Sequence, residues 1–263
     1  MAFQNIEYTQ DKAVAILRLN RPEALNSFTA AMHGEVHEVL SAAAEDPSVR
    51  SVLLTGNGRG FCAGQDLNDR AVAPGDQGPD LGASIEKYYN PLIRLLTSMP
   101  KPVVCAVNGV AAGAGANIAL ACDIVIAGRS ASFIESFCKL GLIPDSGGTW
   151  ILPRLVGMAR ARGLAMLGPK ISAEQAETWG MIWQVVDDEK LLPTALGLAE
   201  HLATQPTRGF ALTKQALLLS TVNTLDQQLE LEKQLMREAG RTADYQEGVR
   251  AFLDKRPAVY RGE

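Results

Sequence analysis

Asp145 stands in the run Gly141-Leu-Ile-Pro-Asp-Ser-Gly-Gly-Thr-Trp150, just ahead of a helical stretch. Two uses are open to its carboxyl group. It, or Ser146 beside it, can cap the first N–H groups of that helix. Set among Leu142, Ile143 and Trp150, it can also be desolvated, which raises a carboxyl pKa towards the range useful for moving protons. Two glycine-rich turns, Gly56 to Gly64 and Gly109 to Gly115, each follow a short apolar run. Small side chains there let a ligand reach the main chain, and unpaired N–H groups at a helix start can hold an oxygen that becomes negative. Two such donors on one carbonyl make an oxyanion hole, each worth roughly 2.7–4 kcal/mol in the transition state. The same glycines also suit plain helix–strand packing, and spacing alone does not separate the two uses.

Other chemistries fail on spacing. Neither turn completes G-x-G-x-x-G, because Phe61 and Ile118 fill the last position, and neither a P-loop nor G-x-S-x-G occurs. His33 and His37 share a helix face at four residues apart, but Glu35 lies midway rather than directly after the first histidine. They read as an exposed polar face. Cys62, Cys105, Cys122 and Cys138 form no C-x-x-C and lie in apolar or Gly-rich surroundings, which suits buried free thiols in a reducing compartment. The net charge of -4 offers no footprint for nucleic acid. The basic residues of the C-terminus, such as Arg250, Lys255 and Arg256, are interleaved with acids and read as solvated helix faces.

The elements that must position these residues follow from periodicity. With 263 residues, 47% of them hydrophobic, the chain is long enough for a large core without metal or disulfide staples. Short β-type runs alternate with helical stretches, which predicts an α/β fold. Val14 to Leu19 and Val52 to Leu54 read as strands, with a helix from an N-cap at Thr29 to about Ala44 between them. The second strand feeds the first glycine turn. Residues 70 to 83, poor in hydrophobic bulk, suggest a mobile loop or lid. A helix over Ser84 to Leu96 leads to a strand over Val103 to Val107, which feeds the second turn and a helix from Ala114 to Cys122. Ile124 to Ile126 and Ile182 to Val186 are further strands, with Ser172 to Gln175 resembling a capping box between them. From Glu189 onward only helices are predicted, near 190–204, 207–220, 224–239 and 244–254, so 1–188 is read as a core and 189–263 as a helical region. No secretory signal is visible at the N-terminus, and Val103 to Ala127 is too rich in glycine and too interrupted by Asn108, Asn117 and Asp123 to span lipid. The expectation is a cytoplasmic protein with neither membrane nor nucleic-acid partner.

Several segments resemble, in order, the crotonase (enoyl-CoA hydratase/isomerase) superfamily. They are Asn20-Arg-Pro-Glu-Ala-Leu-Asn26, Gly58-Arg-Gly-Phe-Cys-Ala-Gly-Gln-Asp-Leu67, Lys101-Pro-Val-Val-Cys-Ala-Val-Asn-Gly109, Cys122-Asp-Ile-Val-Ile126 and Leu140-Gly-Leu-Ile-Pro144, with a tail from Asp244 to Arg256 like that family's closing helix. The resemblance implies a crotonase-like spiral of ββα turns, a C-terminal helical trimerisation region, and homotrimers or homohexamers. It implies acyl-CoA substrates, coenzyme A being part of the substrate and no separate cofactor being needed. By position, the oxyanion donors would be the amides of Gln65 and Ala114, with Ala63, Asp66 and Leu67 along the path of the coenzyme.

The two glutamates of the hydratases are replaced by Asn117 and Phe137, which would shape the pocket rather than carry protons, while Glu135 lies at an offset that need not face it. Asp145 occupies the place of the acid/base carboxylate in isomerase members. The resemblance therefore implies an isomerase in which one carboxyl group shuttles a proton. The run to Arg70 and the segment Gly180 to Asp188 are most similar to the phenylacetate-degradation branch. That implies a ring-epoxide CoA thioester opened to a seven-membered oxepin, a possible shift of a 3,4 double bond to 2,3, and a functional link to an epoxide-forming oxygenase. A pocket lined by Phe137 and Trp150 would suit the ring. The alternatives are a Δ3,Δ2-isomerase of linear chains, a hydratase, or a non-catalytic scaffold or RNA-binding surface.

Overall fold

The computed structural model describes residues 3–70 and 80–263. A hairpin of β1 (Ile6–Asp11) and β2 (Val14–Leu19) runs through α1 (Ala30–Glu45) into β3 (Ser51–Gly56) and β4 (Gly60–Cys62). Next, α2 (Leu81–Ser84), a π turn over Ile85–Tyr89 and α3 (Asn90–Ser98) return the chain to β5 (Val103–Val107) and β6 (Val110–Ala112). Then α4 (Ala114–Leu120) leads to β7 (Ile124–Gly128) and β8 (Ser132–Ile134), and α5 (Gly148–Leu167) to β9 (Lys170–Ser172). The series ends with α6 (Ala173–Thr178), β10 (Gln184–Val186), α7 (Leu191–Ala203), α8 (Thr207–Ser220), α9 (Leu225–Ala239) and α10 (Ala243–Leu253).

Strands β3, β5 and β7 each hand the chain to a short partner in a second sheet. One sheet has the order β1-β2-β3-β5-β7-β10, parallel beyond the first hairpin; the other has the order β4-β6-β8-β9. Each circuit of strand, strand and helix therefore advances one place in both sheets, which is the spiral that the family resemblance implies. The inner strands β2, β3, β5 and β7 of the first sheet are buried and read as nearly unbroken apolar runs, whereas β1 and β10 at its edges are only partly buried. On one face Val14, Ile16, Leu53, Val104, Ala106 and Ile126 meet Leu191, Ala195, Ala199 and Ala203 of α7. Residues four apart share a helix face, and three of these four are alanine, so α7 lies close on the sheet. The helix is thus part of the core although it lies beyond residue 188.

Several expectations need correction. The sequence shows neither β1 nor the four strands of the second sheet: β4 and β6 carry glycine, alanine and cysteine inside segments that read as glycine turns, and β8 and β9 are three residues each, too short for a strand period. The helix expected over Ser84 to Leu96 runs from Leu81 to Ser98 through a π turn that places Tyr89 in the core. His33 is buried at 4% exposure against Phe28, Tyr88 and Tyr89, not on a polar face, because α1 turns it towards the core with Met32 and Val36. The lid expected over 70–83 falls mostly outside the described residues; Asp80 at its end caps α2 by accepting from the Ala83 amide at 3.1 Å.

Ala199 is fully buried against the sheet and its carbonyl accepts from Ser51 Oγ at 2.8 Å. Ala199→Leu should overpack this seam and lower stability by about 1–3 kcal/mol, read as a lower urea midpoint at unchanged m-value.

Candidate active site

The first glycine turn is held by two asparagines. Asn26 is buried, and its Nδ2 donates to the carbonyls of Asn57 and Gly60 at 2.9 Å each. Asn108 accepts from the Gly56 amide at 3.1 Å and donates to the Gly58 carbonyl at 2.9 Å. Beyond this turn, Phe28 bridges to Gln65 in parallel fashion: the Phe28 amide donates to the Gly64 carbonyl at 2.7 Å, and the Asp66 amide to the Phe28 carbonyl at 2.9 Å. In a parallel bridge the residue between those two groups directs its own N–H the other way. That residue is Gln65. Its side chain is fixed as well, with Nε2 donating to the carbonyl of Phe28 at 3.1 Å and Tyr89 Oη donating to Oε1 at 3.0 Å.

The second turn brings the other donor. Gly113, with φ +53°, precedes α4, so the Ala114 amide opens the first turn of the helix and has no intrahelical acceptor. The two turns touch. A Cβ on Gly64, itself at φ +89°, would lie 2.9 Å from the Ala112 carbonyl and 3.3 Å from the Ala114 nitrogen. A Cβ on Gly115 would lie 2.2 Å from the Cys62 carbonyl. Only glycine permits this approach, and it sets the Gln65 and Ala114 segments side by side. Both amides belong to the positive end of a short helix or to a free strand edge, an arrangement that suits an oxygen gaining negative charge.

Phe137 is buried, and its ring lies against Gly113, within 3.7 Å of where a Cβ would stand. Asn117, one turn into α4 and fully buried, donates from Nδ2 to the Asp145 carbonyl at 2.9 Å. A Cβ on Gly148 would meet that amide at 2.3 Å, so the loop carrying Asp145 is seated on α4 through a gap that glycine leaves. Asp145 is half-buried and Oδ1 accepts from Ser146 Oγ at 2.8 Å. Neither residue caps the helix through its side chain, since Gly147 occupies the N-cap. Leu142 and Ile143 point outward, so the expected apolar nest is not made by them.

The carboxylate of Asp66 is taken up by Arg21 at 2.9 Å and by the Asn68 amide at 3.0 Å; the Arg21 hydrogen bond, foremost, holds its pKa below the usual value. Its side chain braces the turn, while Ala63, donating its amide to the Leu25 carbonyl, and the exposed Leu67 flank it. Trp150 does not join Phe137. Its ring lies under the Arg154 guanidinium at 4.0 Å and lines a separate apolar cavity of about 500 Å³ with Leu120, Phe210 and Leu217. That cavity is lined by none of Gln65, Ala114, Phe137 or Asp145.

Glu135, by contrast, is drawn into the site. It follows β8 and is 2% exposed. Desolvation pushes its pKa up to about 7; the Asn117 side chain moderates the shift and the nearby Asp145 charge adds to it. The signal missed in the sequence was the turn after β8: strand alternation ends at Ile134, so counting two residues back from Phe137 says nothing of direction.

The spiral and these two amide-bearing turns define an acyl-CoA-processing fold, and the comparisons agree. Residues 9–263 match the family model described as enoyl-CoA hydratase/isomerase, and the chain belongs to that family. It is 62% identical over 253 residues to the 1,2-epoxyphenylacetyl-CoA isomerase of Escherichia coli K12, covering 96% of this chain and 97% of that protein. It is 45% identical over 262 residues to a Rhodobacter capsulatus protein named "probable enoyl-CoA hydratase", with full coverage of both. The crystal structure of an enoyl-CoA hydratase from Bacillus anthracis superposes with a TM-score of 0.90 at 34% identity, covering 99% of this chain and all of that one.

Two outcomes follow. Tyr89→Phe removes one neutral hydrogen bond from the Gln65 side chain, so kcat should fall about twofold to tenfold with KM little changed, as steady-state kinetics would show. Glu135 has a folded pKa above its unfolded value, so its contribution to stability is intact below about 4.5 and lost as pH rises through about 7. Glu135→Gln should therefore gain stability over the parent as pH rises, by up to about 3 kcal/mol at pH ~8 and little at pH ~5, in paired urea titrations.

Proposed function

We propose that this chain is an acyl-CoA isomerase that converts 1,2-epoxyphenylacetyl-CoA to oxepin-CoA, and that it also shifts a 3,4 double bond to 2,3 in an enoyl-CoA. The 62% identity to the Escherichia coli protein of that activity, over nearly the whole of both chains, carries the assignment. The site supports it chemically. A thioester oxygen held by the Gln65 and Ala114 amides becomes an enolate when the carbon next to it loses a proton. Asp145 takes that proton and, now neutral, returns it to another carbon of the same molecule. For the ring epoxide, the carbon–carbon bond shared by the six-membered ring and the epoxide breaks as the ring double bonds shift, which opens the seven-membered oxepin. The proton moved from the carbon beside the thioester to a ring carbon completes the isomer; atoms are conserved and the oxidation level of the whole does not change. The coenzyme A portion is part of the substrate, and a proton shuttle of this type calls for no separate redox cofactor. Phe137 presses on the oxyanion turn where it would meet the acyl group, and Ala63, Asp66 and Leu67 mark the path of the coenzyme; Asn117 holds the base.

The reading extends to partners and place. Exposed Leu225, Leu229, Met236, Phe252 and Leu253 on the last helices give an apolar surface suited to self-association as a homotrimer or homohexamer. An unstable ring epoxide requires an oxygenase nearby to form it. Three buried free thiols suit the cytoplasm, and among the described residues no helix is long and apolar enough to cross a membrane.

A second reading, enoyl-CoA hydration, is favoured by one observation: Glu135 and Asp145 give the site two neighbouring carboxyl groups, the number a hydratase uses. Turnover of crotonyl-CoA to the 3-hydroxy product faster than isomerisation would establish it. For the main reading, Asp145→Asn should preserve folding and binding of a CoA-ester analogue by calorimetry. Isomerisation of the epoxide made in situ should fall by about 10²-fold or more, and a variant above a tenth of the parent rate would refute the role of Asp145.

A further inference from the structure

Glu135 is one of the least accessible carboxyl groups of the chain; the Asn117 side chain is near enough to hold its pKa down in part, but neither carboxyl oxygen meets a hydrogen-bond donor of good geometry among the described residues. An ionised carboxylate so placed has given up water and gained little in return, being able only to accept. The neutral acid has a use there. Asn117 Oδ1 is buried and also lacks a donor, while the Nδ2 of the same amide donates to the Asp145 carbonyl. A carboxylic O–H is the one group that Glu135 can offer to that oxygen.

The surroundings are short of positive charge. From α4 the polar neighbour is Asn117, which is uncharged, and from the loop before α5 it is Asp145, which is negative. The end of α5 brings Gly168 against the Glu135 carbonyl, and on its own turn the neighbours are Cys138 and, with its chain packed along Gly168, Lys139. No cation pairs with the Glu135 carboxyl among the described residues.

Resting on the proton-shuttle reading above, we propose that Glu135 is a second proton-holding residue of the site. It is a positioning residue that stays neutral while Asp145 acts, so that the site holds one negative charge at a time. Before proton transfer that charge is on Asp145; afterwards it is on the enolate in the oxyanion hole. The neutral Glu135 donates its proton in a hydrogen bond to Asn117 Oδ1, and Asn117 in turn holds the Asp145 carbonyl. Once Glu135 ionises, the orphaned Asn117 oxygen faces an anion, the enolate must form beside a second negative charge, and turnover falls.

The test is kcat/KM against pH for the parent, Glu135→Gln and Asp145→Asn. The parent should lose activity as pH rises through about 7, whereas the Gln enzyme, uncharged throughout, should stay flat across that range. An unchanged alkaline limb in Glu135→Gln overturns the proposal. So does a folded Glu135→Gln enzyme that is inert at every pH, since that is how a base behaves. Infrared difference spectra need no change at Glu135: a buried carboxylic C=O band should disappear in the parent as pH rises through about 7, and in Asp145→Asn, which lacks the nearby negative charge, at a lower pH. Its absence from both overturns the proposal as well. An Asp145→Asn enzyme with full activity instead overturns the shuttle reading, which separates the two failures.

Discussion

The contact on which the site depends is between two stretches of bare backbone. Gly64 and Gly115 let the turn after β4 settle against the turn after β6 at distances that any Cβ would forbid. Without that approach the Gln65 and Ala114 amides belong to different circuits of the spiral and have no reason to aim at one atom. The spiral makes the approach possible, because each circuit delivers a long strand to one sheet and a short strand to the other beside the circuit before, with a shift of register between Gly60 and Cys62 where β4 pairs with β6. The asparagines at positions 26 and 108 then fix the first turn from both sides. Backbone donors held in this way have little reorganisation left to undergo when charge develops, which is the source of their leverage on a transition state.

The Asp145 loop is fastened by different means. One amide, that of Asn117, spans from α4 to the Asp145 carbonyl, and Gly148 leaves room for it. Ala114 and Asn117 lie on one turn of one helix, so the proposed oxyanion donor and the anchor of the proposed base are fixed by a single rigid element. Proximity of this kind matters because an error of an ångström between base and substrate carbon is costly in rate.

Much of this was legible in the sequence, and what was not has identifiable causes. The long strands showed because burial on both faces gives unbroken runs such as Val103 to Val107, and the closing helices showed through their periodicity and caps. The second sheet did not show. Its strands are three residues each, and Gly60-Phe-Cys62 or Val110-Ala-Ala112 carries too little pattern to distinguish a strand from a turn. The two glycine turns were legible in the sequence, while Gln65 and Ala114 as the proposed oxyanion donors came from the family resemblance rather than from spacing. The side-chain partners were not, since Tyr89 reaches Gln65 only because a π turn rotates it inward, and Trp150 leaves the site because its helix faces a different cavity. Such directions are set by tertiary packing rather than by spacing along the chain.

Departures from local rules gather around this site. Among the described residues, five other than glycine have positive φ, and Leu25, Asn26 and Ser146 are three of them. Lys12 closes the first hairpin and Lys255 follows the last helix, where such conformations serve a turn. Leu25 and Asn26 instead support the first glycine turn, and Ser146 lies beside the base. Buried side-chain atoms without partners include those of Asn117 and Glu135, again at the site. A chain that follows local propensity through most of its sheets but departs from it here has given up stability at this place for an arrangement that packing alone would not select. The violations also differ in kind from one side to the other. Around Gln65 they are conformational and fully hydrogen-bonded, which makes a rigid frame. Around Glu135 they are electrostatic and unsatisfied, which leaves groups able to change protonation while the frame stays fixed.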